Sequence, residues 1–367
     1  MNDATFMRRA IELARLSEGL TRPNPPVGAL VVKQGRIIGE GRHRRAGLAH
    51  AEVNAFDACT ESAAGATLYV TLEPCSTTGR QPPCTERILR ERVARVVVAC
   101  DDPNPRHAGR AYELLRENGI EVVSGICRDE AFPLIEPFGR HITAGRLFVT
   151  LKLALTLDGR IADRNHSSKW ITGTEARREV QEMRRRADAV LVGGGTVVAD
   201  NPSLLYRETC EGEPDAGSKL LRVIVDTHGD LPEQARVLTD EAATRTIVAR
   251  LDSKPSHTCG AARVWNFSPT ADDAFPFAAL LERLAQEENV MSLLCEGGGH
   301  LAARLHEKGL VDEYALFYAP LILGDEAGLP GFAGRGFLLA DTPRLQCLET
   351  HRIGSDLFLR MRPTKIV

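Results

Sequence analysis

One histidine and two cysteines have the types and spacing of a metal site. They are His50, in the run His50-Ala51-Glu52, Cys75, in Glu73-Pro74-Cys75, and Cys84, which follows Pro83. An imidazole and two thiolates provide three ligands for a tetrahedral zinc ion and leave a fourth position for water, as catalytic zinc sites do. Structural zinc sites usually have four protein ligands. The set of three therefore favours a catalytic zinc ion.

Glu52 follows His50 by two residues and is well placed to carry protons. Zinc lowers the pKa of water to about 7, and a carboxylate beside that water can deliver its proton to a departing amine. An H-x-E motif followed by P-C ligands is typical of zinc nucleobase deaminases, in which the glutamate is not a ligand. We predict hydrolysis of an amino group from a heteroaromatic ring, with Glu52 as the catalytic residue.

The segments around these residues alternate between strands and helices. A helix is predicted over Phe6–Leu16, and a hairpin over 27–41 with its turn at Gln34-Gly35. Further elements are expected in the order helix 50–59, strand 67–72, helix 84–92, strand 96–99, helix 107–118 and strand 120–123. This alternation is an α/β pattern. The expected zinc ligands lie where strands lead into helices, which is where open α/β sheets place their sites.

A domain boundary is expected near Gly145. The alternation lapses from Arg128 to Arg146, where prolines and glycines interrupt it, and it restarts with the strand Leu147–Leu155. A chain of 367 residues also favours two domains, which we predict at 1–145 and 146–367. In the second domain, Thr172–Glu175 resembles a capping box that starts a helix. A terminal hairpin is predicted from two further strands, at 344–351 and 356–362.

Two glycine-rich turns follow predicted strands of the second domain, at Gly193–Thr196 and Gly297–Gly299. Glycines in such turns allow backbone N–H groups to approach a phosphate. Neither turn fits G-x-G-x-x-G, so a standard dinucleotide-binding fold is not supported. By themselves, the turns are equally compatible with plain tight turns.

Composition excludes several classes of function. A formal net charge of −3 gives no electrostatic footprint for nucleic acid, although a small basic cluster is compatible with a balanced total. No apolar run of about 18 residues is present, so no membrane span is expected. The N-terminus lacks the basic start and apolar core of a secretion signal, so we expect a cytoplasmic protein. The oligomeric state is left open, a homo-oligomer included.

Nearly the whole chain resembles the bifunctional deaminase–reductase family of riboflavin biosynthesis. In the first half the matching segments are Pro23–Gly28, His43 with Ala46-Gly47, His50–Glu52, Gly65-Ala66, Thr71–Ser76, Gly79-Arg80, Pro82–Cys84 and Asp102–Pro105. In the second half they are Lys152–Ala154, Leu157–Arg160, Ser168–Thr172, Arg184, Gly193–Thr196, Asp200–Pro202, Leu204, Arg207, Asp226 and Glu296–Gly299. The resemblance implies a cytidine-deaminase-like α/β/α layer domain followed by a dihydrofolate-reductase-like α/β domain.

The resemblance also implies substrates, cofactors and site residues. Zinc-dependent deamination of 2,5-diamino-6-(5-phosphoribosylamino)pyrimidin-4-one would precede NADPH-dependent reduction of its ribosyl group to ribityl. By position, the deaminase substrate would contact Asn24, His43 and Arg80. The reductase substrate would contact Ser168, Arg184, Leu204, Arg207 and Glu296. NADPH would contact Ala154, Trp170, Thr196, Asp200, Thr227, Gly298, Gly299, His300 and Leu301.

Some of these roles rest on the resemblance alone. A lone tryptophan such as Trp170 is more typical of a core, and Arg184, within Arg184-Arg185-Arg186, is more typical of a solvated helix face. A general acid for the reduction is not evident, although Lys152 and Asp158 are candidates by charge and position.

Thr77 departs from the family, which usually has a histidine directly after the Cys-Ser pair. A hydroxyl can hydrogen-bond but carries no charge, so no binding role is transferred to Thr77. Two alternatives remain: a deaminase of a free nucleoside or a tRNA base, and a chain in which one half is an inactive binding or assembly module. Zinc analysis and NADPH titration distinguish between them.

Overall fold

The computed structural model of the chain describes residues 2–77, 82–105, 107–207, 219–253, 259–271 and 274–364. Arg80, an expected substrate contact, lies outside the described residues. The chain forms two compact units, Met1–Leu147 and Phe148–Val367. Among the helices in the described ranges, none is long and apolar enough to cross a membrane.

The first unit is a sheet of five strands with helices on both faces. The strands are β1 (Gly28–Lys33), β2 (Arg36–Arg42), β3 (Thr67–Leu72), β4 (Arg95–Cys100) and β5 (Glu121–Val123). The helices are α1 (Asp3–Arg15), α2 (Ala51–Asp57), α3 (Cys84–Glu91), α4 (Arg110–Glu117) and α5 (Arg128–Ala144). In the sheet order β2-β1-β3-β4-β5, β1 is antiparallel to both neighbours and β3, β4 and β5 are parallel.

The strands of this sheet bury alternate residues in two different cores. Val96 and Val98 of β4 pack with α2, α3 and α4, whereas Val97 and Ala99 pack with α1 and α5. This period of two explains the continuous apolar run of the strand, because both faces of the sheet are covered. The predicted hairpin is confirmed, and its turn has positive φ at Gln34 and Gly35 (49° and 75°), as a type I′ turn requires.

The expected lapse of regular structure from Arg128 to Arg146 is wrong. Helix α5 occupies Arg128–Ala144 and contains both Pro133 and Pro137. An interior proline removes a helical hydrogen bond and costs about 3 kcal/mol. The helix nevertheless forms because Ala131, Leu134 and Ile135 on its inner face are buried in the core shared with α1. Tertiary burial therefore overrides the local signal of the prolines.

The second unit is built on a sheet of nine strands. They are β6 (Phe148–Thr156), β8 (Ala189–Gly193), β9 (Leu221–Asp226), β10 (Thr246–Leu251), β11 (Arg263–Phe267), β12 (Ser292–Cys295), β13 (Glu313–Ala319), β15 (Leu345–Ile353) and β16 (Asp356–Pro363), and a separate pair joins β7 (Arg160–Ala162) to β14 (Leu329–Pro330). The helices are α6 (Thr174–Arg186), α7 (Gly194–Asp200), α8 (Arg236–Thr239), α9 (Phe277–Glu288) and α10 (Gly299–Glu307), with a 3-10 turn at Ala243–Arg245.

The nine-stranded sheet has the order β11-β10-β9-β8-β12-β6-β13-β16-β15. The strands from β11 to β13 in this order are parallel to their neighbours. The predicted terminal hairpin extends the sheet, with β16 antiparallel to β13 and β15 antiparallel to β16. The central neighbours β8, β12 and β6 end at the same edge, as parallel strands do. Of the two expected glycine-rich turns, Gly297-Gly298 follows β12 and leads into α10. The other is not a separate turn, because Gly193 ends β8 and Gly194–Thr196 are the first residues of α7.

The expected capping box at Thr172–Glu175 is wrong. Helix α6 has Gly173 as its N-cap, and that residue has no side chain to form a cap. The backbone N–H of Gly173 instead donates to Oδ2 of Asp356 at 2.7 Å. Asp356 is almost fully buried at the start of β16, so a contact distant in sequence replaces the local one.

Candidate active sites

The predicted zinc ligands meet at one edge of the first sheet. His50 is the N-cap of α2, and its side chain makes no cap hydrogen bond to the helix. Cys84 begins α3, and Cys75 follows β3. His50 Nδ1 lies 3.3 Å from Cys84 Sγ and 3.5 Å from Cys75 Sγ, and each donor atom lies within 4.8 Å of the others. One nitrogen and two sulfurs this close suit a single zinc ion, so the residues present fit that metal.

Glu52 lies in the first turn of α2 and lines a cavity of about 210 Å³ together with His50 and Cys75. Its side chain is buried, with 3% exposed. Burial and the nearby Cys75 sulfur raise the pKa of the Glu52 carboxyl. Helix α2 therefore places the proposed proton carrier and one metal ligand on the same cavity wall.

Asn24 and His43 form a second wall of this cavity. Asn24 Nδ2 lies 3.0 Å from His43 Nε2, and His43 Nδ1 lies 3.1 Å from the carbonyl oxygen of Ala49. Because the Ala49 carbonyl only accepts and the Asn24 amide nitrogen only donates, His43 carries its hydrogen on Nδ1. The His43 ring also meets the His50 ring edge to face, with centroids 5.3 Å apart. This arrangement fixes the orientation of the Asn24 amide at the cavity.

Glu73 holds the loop that closes the other side of the cavity, a role the sequence reasoning missed. Its buried carboxylate accepts hydrogen bonds from the backbone N–H groups of Asp102, Gly109 and Ala111 at 3.0 to 3.2 Å. Two of these donors are at the start of α4, where orphan N–H groups and the helix dipole favour a carboxylate. Glu73 is thus a helix cap that acts from a distant position in the chain.

The loop held by Glu73 carries three cavity-lining residues, Asp102, Asn104 and His107. The Asp102–Pro105 motif belongs to the segments that resemble the family, but no role for His107 is predicted from the sequence. Its Nδ1 lies 3.3 Å from the hydroxyl oxygen of Thr77. The signal that could have indicated it is a histidine two residues after a motif that already resembles the family.

In the second unit, Arg184 and Glu296 bind each other. Arg184 Nε donates to Glu296 Oε1 at 2.6 Å and Nη2 to Oε2 at 2.9 Å. Their side chains are only 10% and 9% exposed, so the expectation that Arg184 belongs to a solvated face is wrong. The reason is tertiary: Arg184, in the last turn of α6, faces Glu296, the residue that follows β12.

Charged neighbours surround this pair. Burial lowers the pKa of the Lys152 ammonium, Glu296 opposes that change, and Arg184 adds to it. Burial and then Arg184 and Arg236 lower the pKa of Arg207, whose guanidinium also interacts with Glu296. Lys152, Arg184 and Arg207 therefore form a cationic cluster around one carboxylate, which suits a phosphorylated substrate.

Asp158, the other candidate acid, stabilises a turn through hydrogen bonds to its carboxylate. Its carboxylate accepts from the Thr156 hydroxyl at 2.6 Å and from the backbone N–H groups of Gly324 and Leu323. These bonds hold the pKa of Asp158 at about 2. A carboxyl with so low a pKa is a poor proton donor near neutral pH.

The two glycine-rich segments, Gly193–Thr196 and Gly297–Gly299, meet at the edge of the second sheet. A Cβ added to Gly298 would lie 3.7 Å from Thr196 Oγ1, and one added to Gly299 would lie 2.2 Å from the carbonyl oxygen of Pro330. Gly298 is the N-cap of α10 and provides no side-chain cap, so the first N–H groups of this helix suit a phosphate. A cradle of this kind fits a phosphorylated cofactor such as NADPH.

The remaining expected reductase residues have varied surroundings. Trp170 is 69% exposed, so the typical expectation of a core tryptophan is wrong, and the Arg177 guanidinium lies 4.5 Å from its ring centroid. Asp200 pairs with Lys169 at 3.3 Å.

Leu204 is buried in the core beside β8 and β9, so its side chain contributes to packing. Ser168, Ala154 and Thr227 are partly buried, Leu301 is buried, and His300 is exposed with Nδ1 2.9 Å from the Ala333 carbonyl oxygen.

Two family models match the chain. The cytidine and deoxycytidylate deaminase zinc-binding region matches residues 1–100, and the RibD C-terminal domain matches residues 147–359. The first model covers the predicted zinc ligands His50, Cys75 and Cys84. The second covers Thr196 and Gly298.

Relatives match over almost the whole length. The riboflavin biosynthesis protein RibD of Bacillus amyloliquefaciens is 42% identical over 363 residues, covering 98% of this chain and 95% of that protein. The solved structure of Acinetobacter baumannii RibD, form 1, has a TM-score of 0.87 at 37% identity and covers 99% of both chains. A Thermotoga maritima structure, a diaminohydroxyphosphoribosylaminopyrimidine deaminase/5-amino-6-(5-phosphoribosylamino)uracil reductase, has a TM-score of 0.87 at 38% identity, covering 98% of both chains.

These findings confirm the predicted fold class, with a cytidine-deaminase-like unit followed by a reductase unit. They also confirm the expectation of a zinc-dependent deaminase and a reductase related to NADPH-dependent enzymes. A free-standing nucleoside or tRNA deaminase does not account for the second half. Because the similarities run almost from end to end, this chain belongs to the RibD family, the bifunctional deaminase–reductases of riboflavin biosynthesis.

Proposed function

We propose that the first unit deaminates 2,5-diamino-6-(5-phosphoribosylamino)pyrimidin-4-one and that the second reduces the ribosyl group of the product to ribityl with NADPH. The observation that carries this proposal is the cluster of His50, Cys75 and Cys84 beside the buried Glu52 in one cavity. The name of the Thermotoga maritima relative supports the choice of substrate.

In the deaminase, His50, Cys75 and Cys84 would hold the zinc ion. When bound, zinc makes water a competent nucleophile near neutral pH. Glu52 takes up the proton of the attacking water and delivers it to the departing amino group, which leaves as ammonia. Asn24, oriented by His43, hydrogen-bonds the pyrimidine at the opposite wall. Arg80 belongs to the proposed substrate contacts but lies outside the described residues.

In the reductase, the cationic cluster binds and orients the product of the first reaction. When bound, NADPH supplies the hydride for C1 of the opened ribosyl group. Arg184 and Arg207 provide guanidinium groups for phosphate oxygens, and Glu296 holds Arg184 in place. Of the two candidate acids, Lys152 is the better proton donor, because burial lowers the pKa of its ammonium below the usual value whereas Asp158 stays ionised.

The proposed cofactor contacts surround the cradle formed by Thr196 and Gly298. They are Ala154, Trp170, Thr196, Asp200, Thr227, Gly298, Gly299, His300 and Leu301, and the remaining proposed substrate contacts are Ser168 and Leu204. Because the side chain of Leu204 is buried, any contact from this residue is a backbone contact.

We assign the deaminase to residues 1–145 and the reductase to 146–367. The division of the chain into two compact units supports this assignment, as do the separate family matches. The proposed partner is a small phosphorylated pyrimidine, with no nucleic acid. A cytoplasmic location is supported by the cysteines, since those in the described ranges are free, as expected in a reducing compartment.

A two-step assay tests the function. Phosphorylated diaminopyrimidinone is added to the full chain, and ammonia release and NADPH oxidation are followed separately. We expect ammonia without NADPH, and NADPH oxidation only after deamination. The proposal is wrong if no ammonia is released by zinc-loaded protein, or if NADPH oxidation requires no pyrimidine.

A further inference from the structure

We propose that His107 binds the phosphate of the deaminase substrate, with Thr77 as the positioning residue that orients its ring. This inference rests on the proposed function, because it concerns how the same cavity holds the same substrate. The inference also explains how this chain can have Thr77 where the family usually has a histidine. In this chain an imidazole comes from His107, on the loop between β4 and α4.

The side chains of Thr77 and His107 contact each other, and His107 lines the cavity. Thr77 belongs to the segment after β3 that carries the ligand Cys75, and His107 to the loop between β4 and α4. Thr77 Oγ1 lies 3.3 Å from His107 Nδ1. When the hydroxyl donates to Nδ1, the ring hydrogen is on Nε2. The ring then offers an N–H donor to a ligand in the cavity that it lines.

The backbone around His107 is held on both sides. The His107 N–H donates to the Asn104 carbonyl oxygen at 2.9 Å, and its own carbonyl accepts from the Arg110 N–H at 3.0 Å. Glu73 accepts from the N–H groups of Asp102 and Gly109, which flank this segment. The ring is therefore positioned before the substrate arrives, which reduces the entropy that binding must remove.

The depth of the two side chains indicates which part of the substrate they contact. The inner cavity is formed by buried groups, with Glu52, Glu73 and His43 each 3% exposed. Thr77 is exposed and His107 is partly exposed, so the pair lies at the mouth. A phosphate dianion is costly to bury without charged partners, so the pyrimidine enters first and the ribose 5-phosphate remains at the mouth. An imidazole N–H there gives the phosphate a charge-assisted hydrogen bond.

Steady-state ammonia release by the full zinc-loaded chain tests this assignment. We expect His107→Ala to raise KM for the phosphorylated substrate about tenfold, the equivalent of one charge-assisted hydrogen bond, with kcat changed less than about twofold. With the dephosphorylated substrate, His107→Ala should have the KM of the unmodified chain. Zinc content should be unchanged in every variant.

Variants at Thr77 separate positioning from packing. Thr77→Ala should raise KM about threefold, a loss typical of a weak neutral hydrogen bond, whereas Thr77→Ser keeps the hydroxyl and should keep the KM. The double variant Thr77→His with His107→Ala returns an imidazole to the mouth from the other side. Its KM should recover to within about threefold of the unmodified chain, since the same kind of hydrogen bond is restored.

The outcomes separate this inference from the proposed function. If the unmodified chain releases no ammonia from the phosphorylated substrate, the proposed function fails. If the unmodified chain is active and His107→Ala leaves KM unchanged, the inference is overturned. It is also overturned if KM rises equally for both substrates, if kcat and zinc content fall with KM unchanged, or if the double variant shows no recovery.

Discussion

Arg184 and Glu296 face each other through two parallel hydrogen bonds, 2.6 and 2.9 Å long, in a place where both side chains are almost fully buried. The two residues come from the end of α6 and the residue after β12. A buried pair of this kind contributes little over an apolar pair, but the loss of one partner leaves the other charge buried. The reductase unit therefore depends on both charges being present.

Replacement of Arg184 should destabilise the chain much more than replacement of a neighbouring arginine. Arg184→Met leaves the Glu296 carboxylate buried without its main partner, and we expect a loss of about 3 kcal/mol in the free energy of unfolding. Arg186→Met is the matched control, because Arg186 is 44% exposed and pairs with surface glutamates, which predicts a loss under about 1 kcal/mol. Urea unfolding measures both, and equal losses would contradict the importance of burial.

Glu296 should make stability depend on pH. Burial raises the pKa of the carboxyl, but Arg184, with smaller contributions from Lys152 and Arg207, more than offsets this, so the pKa of Glu296 lies below its usual value of 4.5. A lowered folded-state pKa means that the carboxylate stabilises the chain above pH 4.5, and that this contribution is lost as the pH falls through the folded-state pKa. The difference in free energy of unfolding between the unmodified chain and Glu296→Gln should shrink below pH 4.5. A constant difference between pH 7 and pH 3 would refute this.

Glu52→Gln should abolish deamination while the metal stays bound. An amide keeps the size of the side chain but cannot carry the proton, so kcat for ammonia release should fall about 100-fold to 10,000-fold. Glu117→Gln, on the exposed side of α4, is the control and should have normal kcat. Zinc content and NADPH oxidation with the deaminated pyrimidine should be normal in both variants. Substantial ammonia release by Glu52→Gln would exclude Glu52 as the proton carrier.

Replacement of two buried cysteines by alanine should affect zinc binding differently. Cys84 and Cys100 are 1% and 4% exposed, but only Cys84 lies with His50 and Cys75. Cys84→Ala should lose bound zinc and ammonia release, because two ligands hold zinc poorly, while Cys100→Ala should retain both. Elemental analysis of purified protein decides this. Retention of zinc by Cys84→Ala would contradict the ligand set.

Gly298→Ala should weaken NADPH binding without unfolding the chain. The added Cβ would lie 3.7 Å from Thr196 Oγ1, an ordinary contact, so stability should fall by about 1 kcal/mol or less. The methyl group would occupy the cradle, and the loss of a charge-assisted hydrogen bond predicts an NADPH Kd raised about tenfold. Gly173→Ala, also a helix N-cap with ordinary contacts, is the control. An equal effect of both variants on Kd would place the cofactor elsewhere.

Much of the deaminase site was predictable from the sequence because its signals are local. His50 and Glu52 are separated by one residue in the first turn of α2, and Cys84 starts α3, so residue type and spacing carry the chemistry. Strand alternation and the Gln34-Gly35 turn likewise depend on near neighbours. The site roles beyond the metal and Glu52 came from the resemblance to a family, and they remain proposals.

The tertiary structure decided the features that depend on residues far apart in the chain. Helix α5 forms despite two prolines because its inner face is buried against α1. Glu73 caps α4 across a gap that no local pattern indicates, and Arg184 is buried because Glu296 lies opposite it. By itself the sequence determined the α/β alternation and the zinc chemistry. Only the packed structure brought His107 to Thr77 and Gly298 to Thr196, because such contacts arise when strands and helices from distant segments share one sheet edge.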